Sequence, residues 1–128
     1  MELKSVGHFK EMSHGSWSSL SIREYIYKES YENIDKICSY LESGIAIIVS
    51  PELTEDVLAV GKCTGCTSSE YTDGTWVWPG DLAYYVRNYN LALPAEFKEH
   101  MKKNDWTIPV IEKTLDNESL VIDGNRLY

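Results

Sequence analysis

Apolar residues keep helical spacing through "SYENIDKICSYLESG", residues 30–44, where Ile34, Ile37, Cys38 and Leu41 stand at i, i+3, i+4 and i+7 and form one stripe. Ser30 has the short oxygen side chain of an N-cap, Glu32 and Asp35 lie near the positive end of the helix dipole, and Gly44 is a natural terminator. The spacing predicts a helix over 30–44. Directly after it, Ile45-Ala46-Ile47-Ile48-Val49 is a short, mostly β-branched run bounded by Gly44 and Pro51, the pattern of a central strand covered on both faces. In "SPELTEDVL", residues 50–58, Ser50 as cap, Pro51 at the first position and acids near the start predict a short helix. Leu53, Val57 and Val60 would turn inward from it.

The period then shortens. "GKCTGCTSSEYTDGTWVW", residues 61–78, reads as two strands around Thr72-Asp73-Gly74, since Asp-Gly is a strong hairpin signal. Alternation places Trp76 and Trp78 on one face and Thr75 and Val77 on the other. Pro79-Gly80 ends that strand. Asp81 serves as the cap of a helix whose buried stripe is Leu82, Tyr85, Val86 and Tyr89, and Asn90 closes it. Pro94 opens another helix with Phe97 and Met101 on its inner face. The tail "WTIPVIEKTLDNESLVIDGNRLY" predicts one or two short strands, with turns at Asp116-Asn117 and Asp123-Gly124. At the other end "SHGSWSS", residues 13–19, reads as a loop, and residues 22–27 fit a helix or a strand equally well. Helix, strand, short helix, hairpin, helix pair and strands in that order predict one α+β domain over 1–128, with a mainly antiparallel sheet and helices on one face.

Composition narrows the class. A chain of 128 residues with 43% hydrophobic and 25% charged residues buries a core without staples. The longest apolar run, 45–49, falls far short of the roughly 20 residues that span a bilayer. Met1 to Val6 has neither the charged start nor the apolar stretch of a secretory signal, so the expected location is the cytoplasm, with no membrane partner. There the three cysteines, Cys38, Cys63 and Cys66, do not amount to a disulfide framework. Twenty acids against twelve bases give a net charge of −8, which disfavours direct nucleic-acid binding. The imbalance is local. Glu42, Glu52, Glu55, Asp56, Glu70, Asp73 and Asp81 face a single base in their stretch, Lys62, and account for −6 of the total.

The densest stretch, "TDGTWVWPGDLAYYVRNYNLALPAEF" at 72–97, carries two Trp, three Tyr and a Phe. Shared faces place Trp76 with Trp78 and Tyr85 with Tyr89, so these aromatics are expected to form the core, each removing some 150–250 Å² from water. Tyr84 stands off the apolar stripe and is the candidate interface anchor. Asp73, Gly74, Trp76 and Trp78, then Leu82, Ala83, Tyr85 and Val86, then Leu93, Pro94, Glu96 and Phe97 form a pattern that resembles one shared by small bacterial proteins. Some of these look like immunity proteins encoded beside polymorphic or contact-dependent growth-inhibition toxins. The resemblance covers about a quarter of the chain. It implies a non-enzymatic protein that binds and neutralises a cognate toxin, commonly a nuclease, and carries no catalytic residue with it.

An acidic surface suits such a role, because it attracts a basic partner over a Debye length of about 8–10 Å and can occupy a cleft made for nucleic acid. Glu52, Glu55, Asp56, Glu70 and Asp73 are the expected electrostatic contacts, with Tyr84 or an exposed Trp as the central anchor. Catalytic motifs are missing from the chain: no Gly-x-Ser-x-Gly, no His-Glu-x-x-His and no phosphate-cradling glycine loop. Cys63-Thr-Gly-Cys66 has zinc or redox spacing, yet a structural zinc needs four ligands, and His8, His14 and His100 are isolated in sequence. Neither a metal nor another cofactor is expected. Asp73 and Asp81 are read as a turn residue and a helix cap, not a catalytic carboxylate pair. A second reading of a different class is a small-molecule-binding or catalytic α+β domain with a pocket lined by Trp76, Trp78 and the cysteines.

Overall fold

The computed structural model describes residues 2–109, 121–122 and 125–126. Its main sheet is organised by the Asp-Gly hairpin. Strands β5 (Glu70–Thr72) and β6 (Trp76–Pro79) pair antiparallel, with Tyr71 opposite Trp78 and Thr72 opposite Val77. The turn is made by Asp73, whose Oδ1 accepts the N–H groups of Thr75 (2.9 Å) and Trp76 (2.8 Å), while Gly74 takes φ of 96°. Strand β1 (Glu2–Ser5) lies parallel to β6 and to β7 (Val121–Ile122), and β8 (Asn125–Arg126) pairs with β7. On the far side, β2 (Ile45–Ile48) pairs antiparallel with β5, giving the order β2-β5-β6-β1-β7-β8. Strands β3 (Leu53–Glu55) and β4 (Cys63–Thr67) form a separate antiparallel pair. Four of these six pairings are antiparallel, and the fold is α+β as expected.

The two tryptophans of β6 point to the helical side. Trp78 packs at a tilt against Tyr40 of α1 (Ile34–Glu42) and Phe97 of α3 (Ala95–Lys103), and Phe97 also meets Trp76. Trp78 Nε1 donates to the Leu41 carbonyl at 2.9 Å, so its polar edge is satisfied inside the core. Helix α2 (Leu82–Tyr89) lies on α1, where the Cys38 thiol contacts the Ala83 carbonyl. Burying Trp78 alone is worth roughly 4–6 kcal/mol at about 25 cal/mol per Å². Leu3, Thr72 and Val77 are buried on the opposite face. Val6, Phe9, Met12 and Ile22, from the segment after β1, join the tryptophan side.

Several expected elements form: the hairpin at 72–74, a helix ended by Asn90 in the left-handed conformation (φ 45°), the helix after Pro94, and two short C-terminal strands. The expected turn at Asp116-Asn117 lies outside the described residues, as does that at Asp123-Gly124. Helix α1 begins at Ile34, with Asn33 and not Ser30 at its N-cap. Asp81 precedes α2 but makes no capping bond, because its carboxylate is turned to His14. Residues 22–24 form a 3₁₀ turn capped by Ser21.

Two expectations fail. The run 45–49 is an edge strand, with Ala46 and Val49 exposed, since nothing pairs with its outer side among the described residues. Residues 50–58 form no helix: Asp56, drawn into the interior, bends the chain into the β3–β4 hairpin, which leaves Leu53 and Val60 outside. Strand β1 is not among the expected elements, yet it sits inside the sheet, where Lys4 is opposite Trp76 and holds its Nζ 5.6 Å from the centre of that ring. Among the described residues no helix is long and apolar enough to cross a membrane.

Gly44 joins α1 to β2 against the tryptophan. A Cβ there would lie 2.7 Å from Trp78 Cζ2 and 2.9 Å from Tyr71 Cβ. Gly44→Ala should therefore lower the unfolding free energy by about 1–3 kcal/mol in denaturant melts. An unchanged midpoint would show that Trp78 is not held as tightly as described.

Candidate functional site

Asp56 fixes the β3–β4 hairpin to the body of the protein. It is 2% exposed. Its Oδ2 accepts the hydroxyls of Tyr84 (2.7 Å) and Tyr89 (2.6 Å), both on α2, and its Oδ1 accepts the Leu58 N–H (2.8 Å). Tyr85 adds a second tie, accepting from Val57 N and donating to the Glu55 carbonyl. Burial works to raise the Asp56 pKa, but the bonds from Tyr89, Tyr84 and Leu58, with Lys62 nearby, hold it below its ordinary 3.8. The same carboxylate pushes Tyr89 up to about 12.

So anchored, the hairpin turns one face in and one out. Thr54 and Thr64 bond to each other at 2.7 Å on the inner side. Leu53 (59% exposed), Glu55 and Cys63 lie on the outer side. Beside this strand is a cleft of about 310 Å³, bordered by Glu11, His14, Glu52, Glu55 and Asp81. Glu11 stays below the ordinary carboxylate range: burial opposes this, but bonds from the Ser21 hydroxyl and the Ile22 N–H outweigh it. Val49 (79% exposed) and Val60 extend the apolar exposure around the hairpin.

The six residues singled out from the sequence thus divide. Glu52 and Glu55 are exposed and border the same cleft. Tyr84 is half-buried, with its hydroxyl committed to Asp56. Asp56 is interior. Asp73 is also 2% exposed, and besides the turn N–H groups it accepts the Tyr40 hydroxyl at 2.6 Å and lies 3.1 Å from His100 Nε2. Glu70 is largely buried against His8. Placing Asp56, Glu70 and Asp73 on an open surface is therefore corrected, because each is drawn inside by donors from another element.

Those donors include residues that sequence spacing kept apart. His8 Nε2 donates to both oxygens of Glu70, at 2.9 and 3.0 Å, and His14 Nε2 to both of Asp81, at 3.2 Å. The two rings meet edge to face at 5.7 Å, and Trp17 lies 5.3 Å from His8. Burial disfavours the charged His14 ring, but Asp81 and then Glu70 raise its pKa above 6.5. No sequence signal marks this cluster, since 62 residues separate His8 from Glu70. Cys63 is exposed, and burial pushes the Cys66 thiol up, opposite to what a reactive thiolate needs. Trp76 and Trp78 are occupied with Tyr40 and Phe97.

Removing Asp56 orphans three donors. Asp56→Ala should cost roughly 2–3 kcal/mol at neutral pH, read by urea unfolding. As the pH falls the unfolded chain takes the proton first, so this contribution is complete above about pH 4 and disappears through the lower native pKa. The gap between wild type and variant should close there. A gap constant with pH would disprove the charged anchor.

Comparison with protein-family models, curated proteins and solved structures finds no match for this chain.

Proposed function

We propose that this protein is a non-enzymatic immunity protein that binds and neutralises a cognate bacterial toxin, a basic domain such as a nuclease, through the acidic cleft beside β3. One observation carries this reading: Glu52 and Glu55 border a cleft with Glu11 and Asp81, on a hairpin that exposes Leu53 and Val60 and is pinned to α2 by Asp56. A lysine or arginine of the partner suits such a cleft, and the exposed aliphatic side chains supply apolar area beside it. Pinning the hairpin lowers the ordering cost of binding. The resemblance carried by Asp73, Gly74, Trp76 and Trp78 supports the class of partner, and those residues serve the core.

Co-expression with the product of the adjacent upstream gene should rescue growth arrest and yield a co-purifying complex. Within that complex, Glu52→Lys with Glu55→Lys should weaken binding by at least roughly tenfold, mainly through a slower association rate. Raising the salt should weaken the wild type and affect the variant little. Failure of both rescue and co-purification would overturn the function. Salt-insensitive binding unaffected by the reversals would remove the electrostatic mechanism.

A further inference from the structure

We propose that His8, His14 and Glu70 bind a first-row divalent cation of the zinc class, with Asp81 orienting His14. One ring nitrogen from each histidine and one Glu70 oxygen lie within 4.8 Å of one another. Donor atoms around a tetrahedral zinc sit about 3.3 Å apart, so side-chain rotations of little more than an ångström bring the set into range. Two imidazoles and a carboxylate suit zinc and its neighbours and do not suit calcium or magnesium, which take oxygen ligands.

Burial and orphaned atoms point to a ligand independently. The side chains of His8 and His14 are 5% and 6% exposed. Carboxylates only accept, so each pair places its proton on Nε2 and leaves Nδ1 as a bare lone pair in the neutral ring; His14 offers that nitrogen to a metal, whereas on His8 the cation takes the place of the Nε2 proton that Glu70 accepts. Both Nδ1 atoms are buried, and neither has a hydrogen-bond partner among the described residues. Leaving such an atom unmet costs about 1–3 kcal/mol, and each case calls for an explanation; here the two lie in rings that meet edge to face beside Glu70 and Asp81. The Asp81–His14 contact repeats a known device, in which an outer carboxylate takes one ring N–H and turns the other nitrogen to the metal. The ligands come from the segment after β1 and from β5, so the cation ties that segment to the sheet. This inference does not depend on the proposed toxin partner.

The full chain, stripped with chelator and dialysed, is titrated with zinc by calorimetry and followed by thermal melting. Zinc should bind one-to-one, raise the melting temperature and lose both effects on adding EDTA. Cobalt should give visible bands without thiolate charge transfer, and should quench Trp17. His14→Gln and the isosteric Glu70→Gln should each weaken zinc at least tenfold, whereas His100→Gln and the pair Cys63→Ser with Cys66→Ser should bind as wild type. Far-UV circular dichroism confirms that Glu70→Gln is folded should His14→Gln not be. Absence of binding at millimolar zinc would overturn the proposal, as would binding that survives Glu70→Gln and is lost with the cysteines.

Discussion

A carboxylate taken out of water must be met by donors, and Asp73 is met from three directions. The backbone of its own hairpin gives two N–H groups, α1 gives the Tyr40 hydroxyl and α3 brings His100 to 3.1 Å. Removing the partners of a buried charge costs about 3–5 kcal/mol, comparable with burying a whole aromatic side chain. This one acid therefore fixes where α1 and α3 stand relative to β6. Trp76 and Trp78 fill the space so defined, and Gly44 lets the chain pass over Trp78. Apolar area drives the collapse; the carboxylate decides which arrangement is reached.

Asp56 repeats the device at the periphery. The hairpin 53–67 packs Val57 and Leu58, both half-buried, against the core, and the inner side of its paired strands is a pair of threonines. Its position depends on a charge held by tyrosines of α2, while Tyr85 bridges two backbone groups. That leaves its outer face free of structural duty. Exposed leucine and valine are tolerable there, and a binding surface is built most easily where side chains are released from the core.

Much of the fold could be read in advance where local chemistry acts alone. Asp-Gly made the turn, Asn90 took the left-handed conformation, and the stripes of α1 and α2 face the core, with Ile34 and Tyr89 half-buried at their margins. The failures share a cause. "SPELTEDVL" has every mark of a helix start, but Asp56 forms bonds 28 and 33 residues away that outweigh local preference. Ile45 to Val49 looks like a central strand because periodicity reports apolarity and not neighbours. Strand β1 carries little signal because a lysine, Lys4, stands opposite Trp76 with its ammonium over the ring where an apolar residue would have marked the strand. Of the candidate site, Glu52 and Glu55 were legible. The histidine cluster was not, since His8 and His14 meet their carboxylates only across 62 and 67 residues.

The same reasoning separates two uses of the negative charge. All three histidines in the sequence contact an acid from 70–81, so Glu70, Asp73 and Asp81 have internal partners. Glu42 lies on the surface beside Arg87. Buried carboxylates still contribute to the field beyond the surface, and a net charge of −8 draws a cation inward from a distance. Short-range recognition is stricter, because only an exposed oxygen can exchange its water for a partner's donor. Steering of a cationic partner would thus belong to the whole chain, and short-range contact with it to the few acids the core leaves alone. Sequence counting cannot tell the two apart, because burial is decided by tyrosine, histidine and backbone donors far along the chain.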